Sequence, residues 1–311
     1  MKNRVTYIVF IILLLPIFIL AFFNYPSADD YSFARDTYHV YLAGGGVLAI
    51  LSSVLNKVIT MYNTWQGNYT GVFLMTLSPM IWGGKGYFIG SWLSLVMLIV
   101  GVSYMLRELL CHILGFDKER ISYLILLINF IIIWCMPTEA RVEGIFWYNS
   151  AVYYTVLQGW SYLYLGLLIR NLSANNDLYS DSSKLKRVAM KSEETVLLKV
   201  ASVRRDILNV LILSVMAFSL GGANYLTAIN TALCSLLILF FEGKKLIKSR
   251  NLIPTIVFFA GFIISIIAPG NALRQSGISG LSPIKSIMVS YYYVFDIAID
   301  EIGRASCRER V

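Results

Sequence analysis

Charge is scarce in this chain. Asp, Glu, Lys and Arg supply 14% of its 311 residues, where a soluble domain carries about 25%, and that deficit excludes an ordinary soluble enzyme. Histidine is scarcer: His39 and His112 are the only two. The four cysteines, Cys111, Cys135, Cys234 and Cys307, show neither pairing logic nor metal-ligand spacing, and no nucleotide-binding motif is visible. The net charge of +8 is set in a composition that is 57% hydrophobic, which excludes a disordered or nucleic-acid-binding chain.

What the chain has in abundance is apolar sequence, with mean hydropathy +0.67. Crossing a bilayer takes about 20 apolar residues, fewer where helices pack in a bundle. Eight runs qualify: 5–23, 87–106, 121–136, 152–169, 207–220, 224–241, 252–268 and 287–299. The first lacks a small-x-small cleavage site and reads as an uncleaved span. With the N-terminus inside, the inner loops hold 17 Lys and Arg and the outer loops 6, the asymmetry of a protein oriented by its positive loops. His39 and His112 then fall on opposite sides, which argues against a zinc site or a triad built from both. The apolar run 71–82 is too short to cross, and Leu48, Leu51, Leu55, Val58 and Tyr62 before it describe an amphipathic helix lying on the outer surface. Residues 171–206 read as a solvated cytoplasmic loop. The expected fold is therefore an all-α integral membrane protein of about eight transmembrane helices. Residues 1–300 form its polytopic domain, expected to continue beyond the C-terminal end given. Residues 301–311, EIGRASCRERV, read as vector-derived.

Polar residues gather on one face of this topology. The outer segments contain Asp29 and Asp30, Trp65 to Tyr69, Thr138 to Glu143 before Trp147, Gly221 to Tyr225, and Ala268 to Arg274. The first seven spans carry no Asp, Glu, Lys or Arg in their interiors, whereas a transporter or pump keeps ionisable groups at mid-depth. Function is thus expected at the outer surface. Each cluster also has a plain structural reading. Asp29 and Asp30 can cap the helix starting near Tyr31, or share a divalent cation, or act as general base and partner. Glu139, Arg141 and Glu143 can be an ion-pair set, or Arg141 can fork onto a phosphate. Pro269-Gly270-Asn271 can be a turn, or can aim amides at an anion that Arg274 neutralises. Trp65, Tyr69, Trp147, Tyr148, Tyr153 and Tyr154 can be an interfacial belt or stacking faces for sugar rings.

The ordered segments ADDY, TWQGNY, EGIFWYNSAVYY, GGANYLTA and APGNALR together resemble an uncharacterised family of bacterial multi-pass membrane proteins, a domain of unknown function similar to GT-C type glycosyltransferases. The resemblance covers most of residues 1–300. It departs from the family pattern at Asn68, where Arg is usual, and at Ser150 and Val152, where Gly and Asn are usual. It implies a GT-C-like architecture in the bacterial cytoplasmic membrane and transfer of a sugar from a polyprenyl-phosphate donor to an outward-facing glycan or lipid acceptor. Asp29 and Asp30 would be catalytic, or ligands of a divalent cation such as Mg or Mn. Arg274 and Arg141 would bind the donor phosphate, and Trp65, Tyr69, Trp147 and Asn224 would contact sugar or acceptor. The partners implied are the lipid bilayer, the polyprenyl-phosphate sugar and the acceptor, with no nucleic acid. Two other classes stay open: a transporter or lipid-linked-sugar flippase, and a noncatalytic assembly protein for envelope polysaccharide.

Overall fold

The computed structural model describes residues 2–185, 193–242, 250–277 and 280–308. Parts of the expected inner loops (186–192 and 243–249) and the end of the expected vector tail (309–311) lie outside the described residues. Among those described, no strand occurs. In chain order the helices are α1 (Lys2–Leu20), α2 (Asp30–Leu42), α3 (Val47–Thr64), α4 (Tyr69–Thr76), α5 (Phe88–Glu108), α6 (Lys118–Trp134), α7 (Thr138–Arg141), α8 (Tyr148–Ser150), α9 (Leu157–Leu185), α10 (Glu193–Gly221), α11 (Tyr225–Glu242), α12 (Leu252–Ile266), α13 (Pro269–Ser276) and α14 (Pro283–Arg308). Two widened, π-helical stretches, Val142–Phe146 and Ala151–Val156, follow α7 and α8.

Two helices, Val5–Phe23 and Gly84–Ile113, are long and apolar enough to cross a membrane. Two bent pairs bring the number to four if each pair is one span: Ile121–Trp134 with Thr138–Phe146, turned by 105°, and Leu252–Ile266 with Pro269–Ser276, turned by 41°. These helices give the chain the character of a membrane protein. Asp206–Gly221 and Tyr225–Phe241 are shorter apolar helices, so by length and composition the described helices support two to four spans where eight runs were counted. Part of the difference lies in length: the runs 207–220 and 224–241 sit in apolar helices of under 18 residues, Asp206–Gly221 and Tyr225–Phe241. α1 shows what the apolar surplus does. Phe10, Leu14, Ile17 and Ala21 are buried at helical spacing, while Ile8, Ile11, Ile12 and Leu15 face outward. An apolar helix with only one face packed suits lipid surroundings.

Three apolar clusters hold the helices together. One unites α1, α5 and α6 around Leu14, Leu95 and Ile133. A second joins α9 to α10, α11 and α12 around Tyr164, Leu220 and Phe258. The third, around Phe33, Val72, Tyr87 and Tyr148, lies under the polar clusters. α5 and α9 approach backbone to backbone where Gly101 meets Gly159: a Cβ on Gly101 would stand 2.2 Å from the Gly159 carbonyl oxygen. α4 and the following turn (Pro79–Trp82) account for the short run 71–82, which does not form a spanning helix. The amphipathic pattern near residue 50 appears as α3, packed on α2, α4 and α13.

Candidate functional site

Residues 24–30 turn the chain from α1 into α2. The turn is tied down by Asn24, whose side-chain amide donates to Ser91 Oγ at 3.2 Å and to the Phe146 carbonyl. It closes through Ala28 at φ 46°, the one non-glycine residue with positive φ among those described, a conformation that costs an L-residue about 1–2 kcal/mol. Immediately after it the two aspartates part company. Asp30 is fully buried; its carboxylate accepts from the Tyr87 hydroxyl at 2.5 Å and from the backbone N–H groups of Ser27 and Asn149, each at 3.0 Å. Burial raises the Asp30 carboxyl above its ordinary value, the three hydrogen bonds oppose that shift, and the neighbouring Asp29 adds to it. Asp29 is exposed, and although it occupies the N-cap position of α2 its carboxylate makes no capping bond. It faces a cavity instead.

The second wall comes from the end of α3 and from α13. Gly67 N–H donates to Asn271 Oδ1 at 3.0 Å, and the Asn271 amide donates to Ser265 O and Ile266 O at 2.8 and 3.0 Å. A Cβ at Gly270 would lie 2.4 Å from Trp65 N, so the Pro-Gly-Asn segment is the first turn of a helix pressed against the end of α3. Its last turn carries Arg274, whose guanidinium carbon sits 4.8 Å from the centre of the Trp65 ring, within cation–π range.

The third wall follows the sharpest bend. Pro137 ends the α6 direction, because proline bars the residue before it from α geometry. Arg141 Nη2 then donates to Trp134 O at 2.9 Å and Met136 O at 2.8 Å, closing helix-end carbonyls that would otherwise lack donors. Beyond it the chain presents Glu143, Trp147 and Asn149. Asn149 is 1% exposed, and neither its amide nitrogen nor its oxygen has a hydrogen-bond partner; the Trp147 indole N–H is likewise buried and unpaired. Buried amides without partners are rare in folded proteins.

These walls enclose a cavity of about 330 Å³ lined by Asp29, Phe33, Trp65, Gln66, Met75, Glu143, Trp147, Asn149, Ser150, Tyr153, Tyr154 and Arg274. Its volume is in the small-molecule range. It offers two carboxylates that can accept a proton, one guanidinium that can hold an anion, aromatic faces for stacking, and unpaired amide and indole groups for hydroxyls.

Four of the expected residues, Asp29, Trp65, Trp147 and Arg274, thus come together although they are far apart in the chain. The others lie elsewhere. Asp30 stands behind the cavity wall in the bonds described above, with no face on the cavity. Arg141 is held on backbone carbonyls and makes no ion pair among the described residues, neither with Glu139 nor with Glu143. Tyr69 donates to Phe218 O at 2.5 Å and lines a different, apolar cavity of about 540 Å³ on the far side of α4. Asn224 is buried: its oxygen accepts from Thr227 N at 2.9 Å as a helix cap and its amide donates to Tyr153 O at 2.5 Å. Gln66, Glu143 and Asn149 are the additions. In the sequence Glu143 belongs to the Glu139, Arg141 and Glu143 ion-pair set, and no local pattern marks Asn149 as unpaired. For a cation, the cavity supplies the carboxylates of Asp29 and Glu143, while the oxygens of Asp30 are taken by three donors. Among the described residues no group of three or more His, Cys, Asp or Glu can hold a metal ion. Asp30, its oxygens so engaged, therefore does not join Asp29 in facing a shared ligand.

Compared with protein-family models, curated proteins and solved structures, the chain shows no match.

Proposed function

We propose that the chain is a polytopic protein of the bacterial cytoplasmic membrane, GT-C-like in design, with eight spans and its N-terminus inside. In this reading the cavity faces outward and transfers a sugar from a polyprenyl-phosphate donor to a glycan or lipid acceptor. The observation that carries the reading is the cavity's lining: carboxylates, a guanidinium and tryptophan faces converge from four separate segments on a space that also contains the unpartnered amide of Asn149. Tryptophan faces and unpaired amides suit a sugar ring with its hydroxyls, and a single Arg suits a phosphate. The apolar cavity next door supports a lipid-borne donor. α4 and the π-helical stretch separate the two, with Met75 and Tyr153 on the polar side and Leu74 and Val156 on the apolar side.

In the reaction so conceived, the Asp29 carboxylate takes the proton of an acceptor hydroxyl as its oxygen bonds to the anomeric carbon. The bond from that carbon to the phosphate oxygen breaks, and the phosphate leaves on its lipid with its charge facing Arg274. Glu143 is the second carboxylate within the same space. The test is sugar transfer by the purified chain in proteoliposomes, at equal insertion, for wild type, Asp29→Asn and Glu143→Gln. The Asp29 carboxylate is exposed and makes no capping bond, so Asp29→Asn leaves the fold intact while removing the base, a loss of about 10²- to 10⁴-fold in rate. Unchanged transfer by both variants would overturn the catalytic role and favour a noncatalytic assembly protein; a chelator added to the same assay reads whether a divalent cation takes part.

A further inference from the structure

At the opposite end of α5 from the polar cavity, α1, α5 and α6 enclose a space of about 560 Å³. Its lining changes character with depth. Along α5, Arg107 stands near the end, Tyr104 and Ser103 about a turn behind it, and Val100 and Ile99 a further turn on; α1 contributes Tyr7, and α6 contributes Ile121 and Ser122 near its start, then Ile125 and Leu126. From Arg107 to Ile99 is eight residues, or about 12 Å of helix at 1.5 Å per residue. The order is therefore cation, hydroxyls, hydrocarbon, which is the order of groups a phospholipid presents from phosphate through ester to acyl chain.

Arg107 and Ser103 keep donors for such a ligand. Arg107 is exposed and makes no hydrogen bond or ion pair among the described residues. The nearby Glu108 is buried and paired with His112 at 3.0 Å, so it does not engage Arg107. Ser103 Oγ accepts from the Asn129 amide at 3.0 Å, which leaves the hydroxyl proton to donate. Two of the three helices that form the space, α1 and α5, belong to the segments long and apolar enough to cross a membrane, so its walls are of a kind that lipid surrounds.

We propose that this space binds one anionic phospholipid of the surrounding leaflet, its phosphate on Arg107 and an acyl chain along Val100 and Ile125. Basic pockets between membrane helices hold anionic head groups in this way, and the forked guanidinium matches phosphate oxygens. The site is remote from the polar cavity and independent of what that cavity does.

The experiment counts lipids retained by the full chain, by native mass spectrometry after transfer from phosphatidylglycerol or phosphatidylcholine into mild detergent. Wild type is expected to retain one phosphatidylglycerol in preference to phosphatidylcholine. Arg107→Gln should weaken that retention about fivefold, the weight of one interfacial charge, with Arg107→Lys in between. Val100→Trp, which fills the hydrocarbon part, should lower retention of both lipids. Equal unfolding temperatures in lipid-free detergent show that the variants fold. The proposal is overturned if Arg107→Gln retains phosphatidylglycerol like wild type, if the two lipids are retained equally, or if Val100→Trp has no effect. It is also overturned if inorganic phosphate alone displaces the lipid signal in wild type, which would mark a free-anion site.

Discussion

Asp29 and Asp30 are adjacent in the chain and opposite in circumstance, and their substitutions should separate accordingly. Asp30 accepts from Tyr87, Ser27 and Asn149. In Asp30→Asn one acceptor oxygen becomes a donor facing another donor, and a buried unsatisfied polar group costs about 1–3 kcal/mol. The expected result is a lower unfolding midpoint for Asp30→Asn and an unchanged one for Asp29→Asn, measured by denaturant titration in detergent. The pH dependence carries a sign. Burial raises the folded-state value of Asp30 above the ordinary 3.8, so the folded chain holds this proton at a pH where the unfolded chain has released it. The stabilisation from that proton is complete below the ordinary value and is lost as pH rises through the folded one. The stability gap between wild type and Asp30→Asn should therefore widen as the pH falls from 7 toward about 4; a constant or narrowing gap would contradict the burial argument.

Among the elements, the turn of 105° between α6 and the segment after Pro137 does most to shape the polar cavity, and Arg141 fastens it. Arg141→Ala strips donors from Trp134 O and Met136 O and should lower stability by about 1–3 kcal/mol, with Arg141→Lys recovering part, as read by thermal unfolding. Helical character and the stripe of α3 were legible in the sequence because a period of 3.6 residues is a local property, whereas the packed face of α1 was not, since Ile8, Ile11 and Leu15 on its open side are as apolar as Leu14 and Ile17 on its packed side. The short run 71–82 could be set aside by length alone, and the outer clusters were visible as a set. The partition of those clusters was not visible. Which of two neighbouring carboxylates is buried depends on Tyr87 and Asn149, 57 and 119 residues away. Whether Arg141 meets a phosphate or a backbone carbonyl depends on a bend that hydropathy averages away. Tyr69 and Asn224 have the composition of binding residues, but their partners, Phe218 O and Tyr153 O, are backbone groups that carry no mark in the sequence.

For the molecule as a whole, the proposed eight-span arrangement puts Phe116, after α5, and Ser276, at the end of α13, on opposite sides of the membrane. Cysteine probes at these two positions, in a chain lacking its native cysteines, should be labelled from opposite sides of the membrane by an impermeant thiol reagent, Ser276→Cys from outside. Labelling of both from one side would discard the eight-span arrangement. The whole also depends on a matter of phase. The stretch Ala151–Val156 is π-helical, and such a turn holds one residue more than an α-helical turn. Each residue of an α-helix advances the chain by about 100°, so this surplus residue sets the angular offset between everything before it and everything after it. Before it stand Trp147 and Asn149 in the polar cavity; after it, on the same continuous rod, stands Gly159 in backbone contact with Gly101. Removing one residue from the stretch would let the helix wind normally while swinging Gly159 away from Gly101 or Asn149 away from the cavity. A chain one residue shorter here would keep nearly the same hydropathy profile and lose the alignment between its bundle and its site.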